Sequence, residues 1–207
     1  MYSRTDPHIQ SMDLVLATRN IHKAKEIRAY LDKLGYRILT LENFPSIPET
    51  AEDGKTYQEN AMKKAVAVSR STGKMALADD TGLEVNALQG QPGLFSARFA
   101  GEGVSYADNR KKLLWLMKDI PPSRRTARFR CVMVLAMPSG ETRTVEGVVE
   151  GSITLEEQGE DGFGYDPVFY LPELGKTMAQ LKLAEKNRVS HRGIALEQIR
   201  ERLKKIK

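Results

Sequence analysis

Apolar positions recur along this chain with two spacings, one helical and one suited to strands, and the changes between them mark out the elements. Residues 13–18 read as a short, buried-type strand. Ile21, Ala24, Ile27, Leu31 and Leu34 then recur at helical spacing until Gly35, a natural C-terminal stop. Residues 36–41 read as a second strand. The stretch 43–55 contains Pro45, Pro48 and Gly54 and reads as a loop. Thr56 and Glu59 have the spacing of a capping box before a helix striped by Tyr57, Ala61, Ala65 and Val68. Residues 75–78 form a strand pattern that is expected to stop at Asp79-Asp80-Thr81-Gly82. After a Gly-rich stretch, 90–103, Ser105 can cap a helix running to about Lys118.

The second half is richer in strands. Residues 128–137 are apolar on both faces, as in the centre of a sheet. A turn at 138–140 leads into an alternating hairpin partner, 141–150. A turn-rich loop, 159–167, precedes a short strand at 168–170. Ser190 can cap a last helix with Ala195, Ile199, Leu203 and Ile206 facing inward. Strands mixed with helices, plus one hairpin, predict an α/β fold with a mixed sheet. Residues 1–11 are patternless and are expected to be a disordered extension, with a single domain over 12–207.

Bulk properties narrow the classes. Of 207 residues, 41% are hydrophobic and 29% charged, an ordinary globular balance. The longest apolar run, 132–137, is far too short to span a bilayer, and no signal segment opens the sequence given. The lone Cys131 excludes an internal disulfide and a multi-cysteine zinc site. The expectation is a reduced, cytoplasmic protein with no membrane partner. The net charge of +5 fits either a polyanionic ligand or a basic, solvated surface, because basic and acidic residues are well interleaved.

Four segments carry candidate chemistry. Thr18-Arg19-Asn20-Ile21-His22-Lys23 lies between a strand and a helix, where backbone N–H groups attract phosphate. The bland alternative is N-capping by Asn20 with Lys23 in solvent. Asp79-Asp80 is a pair of adjacent carboxylates that a hard cation, Mg²⁺ above all, would reconcile. Neighbouring side chains in a strand point to opposite sides, so the two acids should have different roles. The alternative is an Asp-rich turn. Glu49, Glu52 and Asp53 are further metal-ligand candidates, or simply loop acids, while Glu59 and Lys64 can face the same site. In Gly162-Phe163-Gly164-Tyr165-Asp166-Pro167, Phe163 can stack on a base or anchor a turn. Lys186 with Ser190-His191-Arg192 places donors at a helix start, suited to carbonyl or phosphate oxygens.

These segments together resemble the inosine triphosphate pyrophosphatases, the Ham1-like family. The matching stretches are LATRNIHKAKEI, TYQENAMKKA, LADDTGLEV, PGLFSARFAGE, GFGYDPVF and EKNRVSHRG, in the family's order from Leu16 to Gly193. Six such matches in register are highly specific. The resemblance implies an elongated, two-lobed fold with a cleft between the lobes, a homodimer, and Mg²⁺-dependent hydrolysis of ITP, dITP and XTP to monophosphate and pyrophosphate. It carries the triphosphate contacts to Thr18, Arg19, Asn20, Ile21, His22 and Lys23. The general base and a metal contact fall to Asp80, and the adjoining substrate position to Thr81. Base and remaining substrate contacts fall to Phe163, Gly164, Tyr165, Asp166, Lys186, His191 and Arg192. Glu52 is the best match for a second metal ligand, and Lys64 joins Asp80 as a catalytic residue. Two other readings remain: a relative with a different base preference, and a basic nucleic-acid-binding protein, which the paired acids disfavour.

Overall fold

A computed structural model describes residues 12–206, so the expected extension at 1–11 lies outside the described residues. Strands are β1 (Asp13–Leu16), β2 (Arg37–Thr40), β3 (Met75–Val85), β4 (Thr126–Ala136), β5 (Thr142–Ile153), β6 (Phe169–Leu171) and β7 (Lys176–Thr177). Helices are α1 (Ile21–Leu31), α2 (Tyr57–Thr72), α3 (Tyr106–Leu116), α4 (Leu183–Val189) and α5 (His191–Lys204). One seven-stranded sheet runs β2-β1-β3-β4-β5-β6-β7. Its β2-β1-β3 end is parallel and the rest antiparallel, so the sheet is mixed. β4 is the middle strand, where its doubly apolar second half belongs.

Two strands of 11 residues, β3 and β4, pass from one core to another. At one end the sheet is covered on both faces. Leu14, Leu16, Met75 and Leu77 pack under Ile27 and Leu31 of α1 and under Leu196 and Ile199 of α5. On the other face Val15, Ala76 and Ala78 meet Ala61, Ala65 and Val68 of α2. At the far end one core remains, in which Leu83, Val85, Phe129 and Phe169 meet Leu113 and Met117. The opposite face there is polar, with Glu84 bonded to Arg128 across the strands at 2.7 Å. Each buried Leu contributes roughly 1.5–3 kcal/mol, so both ends are well supported.

The expected end of β3 at residue 78 is wrong. The strand continues through Asp79, Asp80, Thr81 and Gly82, which pair in register with Met133, Val132, Cys131 and Arg130 of β4. Partners on both faces engage three of the four carboxylate oxygens, so the strand has no need to stop. Other shifts are smaller. The α-helical part of α1 ends at Leu31 and a 3₁₀ turn continues to Leu34, with Gly35 left-handed at φ 70°. The Thr56 hydroxyl accepts from the Glu59 N–H, but the Glu59 carboxylate takes the Lys55 N–H, so the capping box is only half made. α4 and β7 were not anticipated. α5 lies close on β5 because Gly147 has no side chain, where a Cβ would strike the His191 carbonyl. Among the described residues no helix is long and apolar enough to cross a membrane.

Candidate active site

Asp79 and Asp80 lie at the joint between the two cores, and strand alternation sends them to opposite faces. Asp79 continues the Met75–Leu77 row and meets α1 and α5. Its Oδ2 is 3.0 Å from Lys23 Nζ and 3.1 Å from Arg192 Nη2, and it accepts from the Thr81 hydroxyl at 2.9 Å. Burial alone would raise this carboxyl, but Lys23 and Arg192 outweigh it and hold it far below the usual carboxylate range.

The same network runs on through Glu26 of α1. One Glu26 oxygen bonds Lys186 Nζ at 2.6 Å and the other Arg192 Nη1 at 2.7 Å. Lys186 also donates to Asp166 at 2.5 Å. Three cations, Lys23, Lys186 and Arg192, thus face three carboxylates, Glu26, Asp79 and Asp166. All but Lys23 are almost wholly buried, and opposite charges in contact make that tolerable. Burial pushes the Asp166 carboxyl up against the pull of Lys186. Arg192 keeps its Nε–H, and Asp79 its Oδ1, without a hydrogen-bond partner in the protein.

Asp80 continues the Ala76–Ala78 row and meets α2. Its Oδ2 accepts from Asn60 Nδ2 at 2.9 Å, while Oδ1 accepts from the Thr81 N–H at 3.0 Å and lies 4.0 Å from Lys64 Nζ. Burial pushes the Asp80 carboxyl up, with Lys64 and the Asn60 amide pulling the other way. Lys64 in turn donates to Glu52 at 2.6 Å and to the Asp79 carbonyl at 2.7 Å. Glu52 and Asp80 therefore converge on one ammonium. Among the described residues no group of three or more His, Cys, Asp or Glu could hold a metal. Two carboxylates and no softer donor suit a hard cation that takes its other ligands from phosphate oxygens and water.

The cleft holding both faces has a volume of about 260 Å³, at the small end of ligand sites. Thr18, Arg19, Asn20, Lys23, Glu52, Lys64, Asp80 and Thr81 line one side. Phe163, Gly164, Tyr165, Asp166, Lys186, His191 and Arg192 line the other. Ile21 and His22 lie outside that lining. Ile21 is 68% exposed, and His22 stacks on Phe163 with ring centres 5.1 Å apart.

At the start of α1, Asn20 does cap, its Oδ1 accepting from the His22 and Lys23 N–H groups at 3.0 and 3.2 Å. Lys23 is not in solvent but on Asp79. Arg19 donates to the Ile47 carbonyl at 2.7 Å, tying down the loop after β2. The segment around Phe163 turns on Gly162 and Gly164, both left-handed at φ 79° and 63°, a conformation other residues resist. Asp166 accepts the Phe163 N–H, Arg110 of α3 donates to the Gly164 carbonyl, and Tyr165 donates to the Ser96 carbonyl. Lys186 and Arg192 lie 4.8 and 5.5 Å from the Phe163 ring centre. Ser190 caps α5 through the Gly193 N–H at 3.1 Å. His191 is buried, stacks on Phe129, and is kept neutral by burial and by the charges of Arg192 and Lys186.

Sequence reasoning missed Glu26, Asn60, Tyr106 and Arg110; it expected Asp79 and Asp80 to differ in role but did not place Asp79 among Lys23 and Arg192. Tyr106 accepts from Asn20 Nδ2 at 2.7 Å, joining the two sides of the cleft. For Glu26 and Asn60 a signal existed: each is polar within the apolar stripe of its helix.

A cleft that joins an acid pair to a buried set of cations suits a phosphorylated ligand with a bound hard cation, and the wider likeness points the same way. The chain belongs to the Ham1 family, whose model matches residues 14–202. A protein from Desulforamulus reducens named dITP/XTP pyrophosphatase is 50% identical over 195 residues, covering 94% of this chain and 97% of its own length. One of the same name from Geobacter sulfurreducens is 50% identical over 190 residues, covering 92% and 96%. The structure of a HAM1 protein from Coxiella burnetii superposes with a TM-score of 0.85 at 40% identity, covering 94% of this chain and 99% of that one.

Proposed function

We propose that this protein hydrolyses non-standard purine nucleoside triphosphates, ITP, dITP and XTP, to the monophosphate and pyrophosphate. It would act as a Mg²⁺-dependent homodimer built on the single unit at 12–207. One observation carries the reading: Asp80 with Lys64 and Glu52 shares a cleft with Phe163, Lys186 and Arg192. In this reading the triphosphate lies with its phosphates at the acid end of the cleft and its base at the other.

Glu52 and Asp80 are the residues to hold a divalent ion, which would neutralise phosphate charge and polarise the bond to be cut. Asp80, with its carboxyl pushed up by burial, takes the proton of a water that attacks the α-phosphorus. The bond from the α-phosphorus to the bridging oxygen breaks, and pyrophosphate leaves against Lys23 and Lys64. Thr18, Asn20 and Thr81 orient the phosphates, and no covalent intermediate is required. At the base end Phe163 offers a face for stacking. The unpaired Arg192 Nε–H favours a base that presents a 6-oxo acceptor, while a 6-amino group would leave it unmatched.

Pyrophosphate release from ITP, XTP, GTP, ATP and a pyrimidine triphosphate, with and without Mg²⁺, tests this. The expected result is a kcat/KM for ITP and XTP about 10²-fold or more above that for ATP, and no turnover in EDTA. Protein that leaves ITP and XTP intact in Mg²⁺ overturns the reading. A pyrimidine preference would keep the chemistry and reassign the base pocket.

A further inference from the structure

We infer that Asn60 is a positioning residue for the hydrolytic step, fixing which oxygen of Asp80 faces the substrate; this rests on the reading of Asp80 as the base. The residue is out of place by helix logic. Asn is a mediocre helix former, yet Asn60 is 3% exposed on the face of α2 that otherwise buries Tyr57, Ala61, Ala65 and Val68. Two hydrogen bonds explain it. Its Nδ2 donates to Asp80 Oδ2 at 2.9 Å, and its Oδ1 accepts from the Gly54 N–H at 2.8 Å.

The two partners settle the orientation of the amide, because one can only donate and the ionised other can only accept. No other side chain of this length offers an acceptor on one side and a donor on the other. Asp would present two acceptors, and Leu neither. With Oδ2 held by Asn60, the remaining oxygen, Oδ1, is the one turned toward Lys64 at 4.0 Å and the Glu52 that Lys64 bonds. Asn60 and Lys64 stand one helical turn apart on α2, so a single helix face addresses both oxygens of the base.

The same amide ties the base to the loop that carries Glu52. Gly54 is two residues beyond Glu52 and reaches Asn60 closely. A Cβ at Gly54 would lie 2.5 Å from Asn60 Oδ1 and 2.9 Å from Glu59 Cβ. Gly54→Ala therefore disturbs the amide from behind, leaving every group on Asn60 and Asp80 chemically unchanged.

The test is steady-state hydrolysis of ITP by the parent, Asn60→Asp and Gly54→Ala, with binding of the non-hydrolysable α,β-methylene analogue of ITP measured by calorimetry. Asn60→Asp keeps the shape and the Gly54 contact but replaces the donor to Asp80 with a second carboxylate oxygen. Misplacing a reacting group by about 1 Å can cost ~10²-fold. The expected result is kcat reduced about 10- to 100-fold in Asn60→Asp and about 5- to 10-fold in Gly54→Ala, with KM and analogue binding within about threefold of the parent. Values of kcat within twofold of the parent, or a loss confined to KM and analogue binding, overturn the inference and leave Asn60 a packing residue. Should Asn60→Asp fail to fold, Gly54→Ala decides alone. A parent that does not hydrolyse ITP refutes the proposed function instead.

Discussion

The two faces of β3 at residues 79–81 treat neighbouring carboxylates in opposite ways. On the α1–α5 face, Asp79 is 1% exposed and sits among Lys23, Arg192 and the Thr81 hydroxyl. It is held ionised and is committed to its cations. On the α2 face, Asp80 is 7% exposed, has a neutral amide and one ammonium 4.0 Å away, and its carboxyl is pushed up. The difference follows from the sheet. On the α1–α5 side an apolar core lies before Asp79 and another beyond it, whereas on the α2 side, among the described residues, the core ends before Asp80. Structural charge belongs where packed core flanks it on both sides, and the proposed base sits where water and substrate can reach it.

The strongest test separates those two roles by removing one charge at a time. Asp80→Asn is expected to lower kcat by about 10²–10⁴-fold, the usual contribution of a positioned base. Its melting temperature should hold or rise, because the ionised form is the one that burial disfavours. Asp79→Asn leaves Lys23 and Arg192 short of a buried counter-charge, a change that costs about 3–5 kcal/mol. For a chain of this size that is a fall of roughly 6–20 °C in melting temperature. Calorimetry beside ITP kinetics gives both answers. If Asp79→Asn keeps its stability, or Asp80→Asn keeps its turnover, the division of labour between the faces is wrong.

A smaller effect, with a pH signature, is expected at Glu26. Burial would raise this carboxyl, but Arg192 and Lys186 more than offset that and hold it below the ordinary glutamate value of 4.5. A carboxylate held low stabilises the fold fully above its unfolded value and loses that contribution only as pH falls through the lower folded value. Glu26→Gln removes the charge and one of the two charge-assisted hydrogen bonds, its remaining amide oxygen still accepting the other, while Asp166 and Asp79 still partner the cations, costing about 1.5–3 kcal/mol. The deficit in stability should be constant from pH 8 to about pH 5 and narrow in more acid solution. Thermal melts across that range check it. A deficit that grows as the solution is acidified would place the stabilising charge elsewhere.

Much of this arrangement was legible in the sequence. Helical and strand spacings gave most elements to within a few residues, and strand alternation already required Asp79 and Asp80 to differ. What stayed hidden was tertiary. Nothing local shows that β4 pairs across the whole of residues 76–85, so the polar run looked like an end. α4 is only seven residues long and carries little apolar periodicity, yet it places Lys186. His22 reads as a phosphate donor beside Lys23, but its ring turns to Phe163, a residue 141 positions away whose approach depends on the two glycine turns. Glu26 and Asn60 were visible only as polar residues on apolar faces, and their partners come from other elements.

The gentlest probe of the contrast is Thr81, which follows Asp80 in the chain but faces Asp79. Its hydroxyl donates to Asp79 Oδ2 at 2.9 Å and accepts from Arg192 Nη2 at 3.3 Å. Thr81→Val keeps the shape and removes both bonds. Only the 2.9 Å bond is short enough to count fully, and a net hydrogen bond contributes about 1 kcal/mol, so the expected change is roughly fivefold. Because Thr81 steadies the cation set and not the base, that factor should fall on KM for ITP, with kcat within about twofold, and Thr81→Ser should restore the parent values. A kcat loss approaching that of Asp80→Asn would mean that the hydroxyl serves the reacting water directly and that the two faces are not separate.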